Sequence, residues 1–189
     1  MKIILASRSK FRRQALDLLD VDYEVIPSEL NEGSIRDSNP RVLAKKLAEA
    51  KAREVGGRLD GEAIIIAGDL FVLFQDKIYE KPESEREAKE MLGSFSGRAV
   101  EIISGVSLLN SKTGELNSAL GEAKILFRDI SKSEINRYVS SYPVHELAGG
   151  FEKEGILKFS KEVHGDLSYL TGLPLNRLIQ LLQEHGLDP

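Results

Sequence analysis

The run Ala63–Ala67 constrains the fold most strongly, because it is uncharged, apolar and rich in β-branched residues. A short run of this kind predicts a strand that is buried on both faces. Phe71–Phe74 either continues this strand or bends away from it. Candidate strands and helices precede the run, and a long antiparallel strand pair follows it between further helices. This order predicts an α/β fold with a mixed, twisted β-sheet flanked by helices. We expect two lobes with a central cleft between them, in a single domain over residues 1–189.

Local start and stop signals predict the other elements. Asn39-Pro40 is a typical helix start, and Ser84 and Ser131 each begin a capping box. The predicted helices run from about Lys10 to Leu19, from Pro40 to about Val55, from Ser84 to near Gly93, from Ser131 to before Pro143, and from Pro174 to Gly186. The further predicted strands are Lys2–Ala6, one within Asp20–Ile26, Val100 to Leu109 and about Leu116 to Phe127.

Composition excludes several classes of function. The chain has no cysteine, which rules out disulfides, thiolate zinc sites and a cysteine nucleophile. The formal net charge of −4 argues against a nucleic-acid partner. The opening apolar run Met1 to Ala6 is too short for a signal-peptide core or a membrane span. We therefore expect a cytoplasmic protein with no membrane partner.

A basic cluster opens the first predicted helix, directly after a strand. Its cations are Arg8, Lys10, Arg12 and Arg13, with Ser7 and Ser9 beside them. Cations at a helix N-terminus oppose the helix dipole, so their placement there needs a reason. Free backbone N–H groups, hydroxyls and guanidinium groups together bind polyanions, which predicts a phosphate site. A solvated basic patch is the alternative.

Three residues are candidates for the chemistry of that site. Asp69 follows the buried run, at a strand end where α/β enzymes place ligands, and it either activates a water, binds a divalent metal or caps a turn. Lys51 shares a stripe of small residues with Ala44 and Ala48, which gives it room to reach inward to an anion. A surface lysine is the alternative. Glu32 lies in a polar loop and by itself indicates a solvated acid.

Other patterns are weaker. Lys81-Pro82 follows a predicted hairpin over Gln75–Ile78, and Gly149-Gly150 predicts a flexible loop that is a candidate lid. His164-Gly165-Asp166 predicts a turn rather than a catalytic pair. The sequence has neither a GxGxxG nor a GxxxxGKS/T phosphate loop, and it has no Ser-His-Asp arrangement with a nucleophile elbow.

Several short motifs follow one another along the chain. They are Leu5 to Arg12, the acid Glu32, Leu47 to Ala52, Ala67-Gly68-Asp69, Glu80-Lys81-Pro82, Leu92 to Gly97, Gly165-Asp166 and Gly172 to Leu175. Their order and spacing resemble the Maf family of nucleoside triphosphate pyrophosphatases over nearly the whole chain.

The resemblance implies hydrolysis between the α and β phosphates of a nucleoside triphosphate, which gives a nucleoside monophosphate and pyrophosphate. It also implies a divalent metal cation (Mg²⁺ or Mn²⁺), a homodimer, and the fold shared by Maf and inosine triphosphatase-like proteins. Under this resemblance, Asp69 is the general base and Glu32 is a metal or water ligand, so Glu32 and Asp69 are the candidate metal ligands. The implied phosphate ligands are Ser9, Arg12, Lys51 and Lys81.

Three departures from the family pattern bear on activity and on base preference. Phe11 replaces an arginine, and Arg13 or Lys10 is a candidate substitute. Leu70 replaces a threonine, and Glu154 aligns with a glutamine that reads a pyrimidine base. Leu70 and Glu154 are therefore candidate base-specificity residues. The preferred base, standard or modified, stays open.

Two other functions stay open at this point. One is a catalytically weak nucleotide-binding regulator related to cell division, which the loss of the arginine at Phe11 motivates. The other is a phosphatase that removes a terminal phosphate or acts on sugar phosphates, since the same anion site would serve it. Product identity separates these alternatives from a pyrophosphatase.

Overall fold

The computed structural model describes residues 1–166 and 168–189. The α-helices are α1 (Lys10–Asp17), α2 (Pro40–Gly56), α3 (Glu85–Phe95), α4 (Lys132–Ser141), α5 (Lys153–Phe159), α6 (Ser168–Thr171) and α7 (Leu175–Glu184). The strands are β1 (Lys2–Leu5), β2 (Glu24–Val25), β3 (Ala63–Phe74), β4 (Lys77–Tyr79), β5 (Ala99–Asn110), β6 (Leu116–Phe127) and β7 (Ser160–Gly165). Over this described part of the chain, seven strands form one sheet in the order β2-β1-β3-β5-β6-β7, with β4 paired to β3. Parallel and antiparallel pairs both occur, so the predicted mixed α/β fold is confirmed.

The chain divides into two compact units. The first unit comprises Met1–Leu70, Ser104–Gly121 and Asp166–Pro189, and the second comprises Phe71–Ile103 and Glu122–Gly165. Two units agree with the two predicted lobes, and the cleft between the lobes stays a prediction. None of the described helices combines the length and the apolar composition that crossing a membrane requires.

In the first unit, the buried run is covered on both faces, as predicted. β1 runs parallel to β2 and β3, with Leu5 opposite both Val25 and Ile66. Successive residues of Ala63–Ala67 point to opposite faces of the sheet. The even-numbered ones pack with residues of α1 and α7. The odd-numbered ones pack with residues of α2, which explains why the run carries no polar side chain.

Glycines allow α2 to lie very close to the sheet. A Cβ at Gly105 of β5 would lie 2.4 Å from the carbonyl oxygen of Ala44 and 3.0 Å from the backbone nitrogen of Lys45. A Cβ at Gly56 of α2 would lie 2.8 Å from Leu109 Cδ2. The obstacle at Gly105 is backbone, which cannot rotate away as a side chain can. The depth at which α2 packs therefore depends on this glycine.

In the second unit, aromatic side chains form much of the core. β3 and β4 make the predicted hairpin, and its turn residues Gln75 and Asp76 have φ of 52° and 61°. Two positive φ values are typical of tight two-residue hairpins. The Phe95 ring lies 5.2 Å from that of Phe74 and 6.2 Å from that of Phe127, between ring centroids. Such edge-to-face and stacked pairs add to the stabilisation from apolar burial.

Two loop predictions in the second unit were wrong. His164 and Gly165 belong to β7 and do not form a turn. Gly149 and Gly150 are buried, and Gly149 N donates to the carbonyl oxygen of Glu80 at 3.0 Å. A pair of glycines in the sequence indicates an unusual backbone conformation, which both residues have at φ 64° and 74°. Here that conformation serves close packing rather than a flexible lid.

Candidate active site

The first unit places its polar candidates where β1 ends. The chain continues from β1 to β2 on one side, and β3 lies on the other side. A topological switch point is the place in a parallel sheet where the strand order reverses. In α/β proteins, ligands bind there, outside the carboxyl ends of the strands. The loop 6–9 leads from β1 into α1 at this end. Asp69 follows Ile66, the partner of Leu5, by three residues.

Lys51, Asp69 and Glu32 lie together in the first unit, and we call these three residues the ion cluster. Lys51 Nζ lies 2.6 Å from Asp69 Oδ1 and 3.0 Å from Glu32 Oε1. The side chains of Lys51 and Asp69 are 9% and 10% exposed, whereas that of Glu32 is 55% exposed. Lys51 thus reaches inward, one of the two positions that its helix register leaves open, and does not lie on the surface.

Helix α2 places Lys51 through its register. The helix begins after Asn39, whose side chain accepts a hydrogen bond from Arg41 N at 2.9 Å. Its buried face includes Ala44, Ala48 and Lys51, the predicted stripe. Because the alanines are small and Gly105 admits the helix backbone, the lysine stem lies against the sheet with its ammonium group at the level of Asp69.

Asp69 lies inside β3 and not at the end of a strand, which corrects the predicted position. The strand runs on to Phe74 because residues 72–74 are also buried. Asp69 still lies beyond the end of neighbouring β1, so it keeps the location that the switch point requires. Alternation places Asp69 on the α2 face with Ala67, which explains why its partner comes from that helix. The turn-capping alternative does not apply to a residue within a strand.

Glu32 reaches Lys51 from a short 3₁₀ turn, Glu32–Ser34. Asn31 caps this turn, and its side chain accepts a hydrogen bond from Gly33 N at 3.2 Å. Glu32 is therefore both solvent-exposed and ion-paired. Its loop composition gave no sign of the pairing, because the partner lies in another element.

Arg12 lies beside the ion cluster, on α1. Its Nε donates to the carbonyl oxygen of Gly172 at 3.0 Å, and its Nη1 donates to Ser7 Oγ at 3.2 Å. Burial lowers the pKa of the Arg12 guanidinium, and the carboxylates of Asp69 and Glu32 partly offset this shift. Because an arginine side chain keeps its charge in proteins, the site has a second fixed cation.

The two serines of the basic cluster have different roles. Ser9 is the N-cap of α1, and its hydroxyl accepts from Arg12 N at 3.4 Å. Ser7 is buried, and its hydroxyl accepts from Ser9 N at 3.2 Å as well as from Arg12 Nη1. The structure leaves the side chain of Arg13 exposed, and the same holds for Arg8 and Lys10. Of the predicted phosphate ligands in this segment, Ser7, Ser9 and Arg12 are thus linked to one another.

Other predicted residues lie elsewhere. Leu70 is half-buried and ends the first of the three chain segments that form the first unit. Lys81 belongs to the second unit and is exposed, directly before the buried Pro82. Glu154 lies in the first turn of α5, and its Oε2 is buried without a hydrogen-bond partner among the described residues. The roles assigned to these residues by resemblance stay predictions.

Sequence reasoning did not identify the residues that hold Arg12 in place. Gly172 has φ 71°, and its carbonyl group accepts from Arg12 across 160 positions of sequence. A Cβ at Gly68 would lie 2.5 Å from Leu173 Cδ2 and 3.6 Å from Arg12 Nε, so Gly68 leaves room for both. The glycines themselves were the available signal, since a glycine within a buried strand often indicates close approach of another group.

A groove in the second unit is a weaker candidate. It encloses about 430 Å³, and its lining includes the cations Arg128, Arg137 and Lys158. Glu134 is the carboxylate in that lining, and it already pairs with Arg128 at 2.7 Å. Among the described residues that line the groove, Glu134 therefore has no second acid beside it to act as a base or metal ligand. The ion cluster of the first unit is better suited to hydrolysis.

The ion cluster also fits a divalent cation. Glu32 and Asp69 share the ammonium group of Lys51, so their oxygens face a common cation position. Mg²⁺ prefers oxygen ligands and is commonly held by one or two carboxylates together with substrate phosphates. Within residues 1–166 and 168–189, no group of three or more His, Cys, Asp or Glu side chains forms a metal site. The residues thus fit a metal whose other ligands come from a phosphate chain and water.

Comparison with known proteins finds a family model and several similar proteins. The family model described as Maf-like protein matches residues 2–185. A dTTP/UTP pyrophosphatase of Syntrophus aciditrophicus is 34% identical over 98% of this chain and 90% of its own. A 7-methyl-GTP pyrophosphatase of Idiomarina loihiensis is also 34% identical, over 100% of this chain and 97% of its own. The Ham1 protein of Staphylococcus aureus shares the fold with a TM-score of 0.52, at 15% identity, over 98% of this chain and 100% of that one.

Proposed function

The chain belongs to the Maf-like protein family, and we propose that it hydrolyses nucleoside triphosphates to nucleoside monophosphates and pyrophosphate. Two relatives that align with almost the whole chain are named as pyrophosphatases of such substrates. The observation that carries the proposal is the ion cluster of Lys51, Asp69 and Glu32 beside Arg12, at the switch point of the sheet.

Cations bind the phosphate chain in the proposed mechanism. A triphosphate carries about four negative charges near neutral pH, so it requires several fixed positive groups. Arg12 is held by Gly172 and Ser7, so its remaining N–H groups keep one orientation. Lys51 and the N-terminus of α1, capped by Ser9, supply further positive charge. Fixed donors of this kind stabilise charge that develops in the transition state without rearranging.

Asp69 is the proposed general base. Its carboxylate accepts a proton from a water molecule, whose oxygen attacks the α phosphorus while the bond to the bridging oxygen breaks. Pyrophosphate departs as the leaving group, and the proton remains on Asp69 until solvent removes it. A bound Mg²⁺ or Mn²⁺ would be held by Glu32 and Asp69 and would polarise the phosphoryl oxygens.

Further parts of the proposal rest on resemblance and composition. They are the divalent cofactor, a cytoplasmic location, a homodimer and action as one domain over residues 1–189. Lys81 is proposed as a phosphate ligand, Arg13 as a substitute for the arginine missing at Phe11, and Leu70 and Glu154 as residues that read the base. The two relatives at equal identity are named for different bases, so identity does not select one.

The direct test is a panel of nucleotides with product analysis. The protein is incubated with dTTP, UTP, 7-methyl-GTP and the other standard and modified triphosphates, with Mg²⁺ or Mn²⁺. Pyrophosphate and a nucleoside monophosphate as products support the proposal. Orthophosphate would indicate a phosphatase, and tight nucleotide binding without turnover would indicate the regulator; either result rejects it.

A further inference from the structure

The ammonium group of Lys51 occupies the position between two carboxylates. It lies 2.6 Å from Asp69 Oδ1 and 3.0 Å from Glu32 Oε1. The side chains of Lys51 and Asp69 are almost fully buried, so this pairing exchanges little with water. A metal ion bound by both acids would have to lie in the same space.

We propose that Lys51 is a resident competitor of the divalent cation, so that the free protein holds the metal weakly and the metal binds together with the triphosphate. This inference rests on the proposed function, because it concerns the cation of that reaction. It assigns Lys51 two partners in turn, first the carboxylates and then the phosphate chain.

Distance and charge support the competition. Mg²⁺ binds carboxylate oxygens at roughly 2.0–2.1 Å, which is shorter than either contact of Lys51. A divalent ion between Asp69 Oδ1 and Glu32 Oε1 would therefore take the place of the ammonium group, and their two charges repel each other strongly at so short a distance. The lysine must leave before these two oxygens bind the metal.

The number of ligands supports the coupling to substrate. The acids that contact Lys51 supply two oxygens to the metal position, whereas Mg²⁺ takes six ligands. A triphosphate supplies oxygens for some of the remaining metal ligands. It also supplies a new anionic partner for the displaced Lys51. Each event thus favours the other, and such coupling is reciprocal: nucleotide tightens metal binding as much as metal tightens nucleotide binding.

Metal binding without nucleotide tests the competition directly. Free Mn²⁺ is measured by electron paramagnetic resonance while the wild type, Lys51→Met and Lys46→Met are each titrated with Mn²⁺ alone. Lys46 is a matched control, because it lies on the same helix, and its removal also frees one carboxylate, Asp37, from a contact of 2.8 Å. We expect Lys51→Met to bind Mn²⁺ at least tenfold more tightly than the wild type, with Lys46→Met unchanged.

Thermal unfolding provides a second readout of the same competition. In Lys51→Met, two carboxylates lack their cation, so Mn²⁺ should raise its unfolding midpoint more than that of the wild type. If Lys51→Met does not fold, Lys51→Gln takes its place, since it is uncharged and retains polarity. Equal or weaker Mn²⁺ affinity in the Lys51 variant relative to the wild type would overturn the proposal.

A nucleotide analogue tests the second part of the inference. With α,β-methylene-UTP or α,β-methylene-dTTP, which lack the cleavable bridging oxygen, the wild type should gain at least tenfold in Mn²⁺ affinity. Absence of that gain rejects the coupling. Failure of the proposed function is distinguishable, because it would appear as no turnover in the nucleotide panel while the Mn²⁺ affinities of the lysine variants stay as expected.

Discussion

Two ion pairs of nearly equal length differ in almost everything else. Lys51 and Asp69 lie 2.6 Å apart in the first unit, and Arg128 and Glu134 lie 2.7 Å apart in the second. The side chains of the first pair are about one tenth exposed, whereas those of the second are 39% and 28% exposed. The length of the contact therefore does not distinguish an ion pair in a candidate active site from a structural ion pair at the surface. Burial does, because a buried charge acts with little screening by water.

The partners of each pair show what it does. Arg128 also donates to the carbonyl oxygens of Asp129 and Lys158, so it ties together the chain around α4 and α5. Glu134 closes the capping box at Ser131. Lys51 instead contacts a second acid, Glu32, and leaves that acid open to solvent. One pair thus fixes the backbone, and the other holds the proposed base beside an acid that is open to solvent.

The largest expected difference between the pairs concerns catalysis. Asp69→Asn removes the proposed base while keeping the shape of the side chain, so turnover should fall about a hundredfold or more, or about 2.7 kcal/mol of barrier. Pyrophosphate release under saturating triphosphate measures this. Asp37→Asn, which removes another ion-paired acid of the first unit, serves as the control and should retain turnover. Full activity of Asp69→Asn would show that the buried pair takes no part in catalysis.

A smaller loss is expected when Arg12 is replaced without loss of charge. Arg12→Lys abolishes the two hydrogen bonds to Gly172 and Ser7 that orient the cation. Because an ammonium group lacks the planar fork, kcat/KM should fall about 10- to 100-fold. Arg53→Lys on the exposed side of α2 is the matched control. An equal effect of both substitutions would show that charge alone matters and that the hydrogen bonds do not.

The next largest expected difference concerns the stability effects of alanine substitutions at one glycine in each unit. Gly105→Ala places a methyl group against the backbone of Ala44, so α2 must shift, and we expect a loss of about 1–3 kcal/mol of stability. Gly93→Ala in α3 meets no atom within 4 Å and should stabilise by about 0.5–1 kcal/mol. Unfolding in urea compares the midpoints. A midpoint of Gly105→Ala equal to or above that of the wild type would contradict the close packing of α2 against Gly105.

The smallest effect belongs to the exposed pair and depends on pH. Arg128, followed by the backbone and side chain of Ser131, lowers the pKa of Glu134 from 4.5 to about 2. A carboxylate with a lower pKa in the folded state stabilises the protein above the unfolded pKa, and the stabilisation is lost as pH falls through the folded pKa. The midpoint difference between wild type and Glu134→Gln should therefore be constant above about pH 5 and shrink between 4.5 and about 2.

Two further measurements on Glu134→Gln are the effect of salt on its unfolding midpoint and its turnover. Because the Arg128–Glu134 pair is partly exposed, added salt should reduce the midpoint difference, and turnover at neutral pH should not change in Glu134→Gln. A thermal melt at each pH, with and without added salt, checks the first expectation. A loss of turnover comparable to that of Asp69→Asn would instead give the Arg128–Glu134 pair a part in the chemistry.

The sequence predicted those parts of the molecule whose signals are local. The start of α2 at Pro40 follows from capping, and the common stripe of Ala44, Ala48 and Lys51 follows from helix periodicity; both occur in the structure. The buried strand at Ala63 was also predicted, although its continuation to Phe74 was left open. Strong apolar periodicity and capping residues act within a few positions, so they can be read without tertiary contacts.

Other parts gave no local signal. α5 begins without a side-chain cap and contains Gly155, so it lacks the pattern of a helix start. β7 is mostly exposed and therefore has no apolar alternation. The contact of Lys51 with Glu32 and the contact of Arg12 with Gly172 join separate elements. Such contacts depend on the assembled sheet, which no short motif encodes.

The Arg12–Gly172 hydrogen bond has a consequence for biosynthesis. The two residues are 160 positions apart, so the arginine leaves the ribosome long before the carbonyl that orients it. At about 5–20 residues per second, roughly 8–32 s separate their synthesis. During that interval the nascent chain can complete β1 and α1 but not the anchored guanidinium. Hydrolytic competence is thus acquired only after the segment that contains Gly172 has packed against β1 and α1.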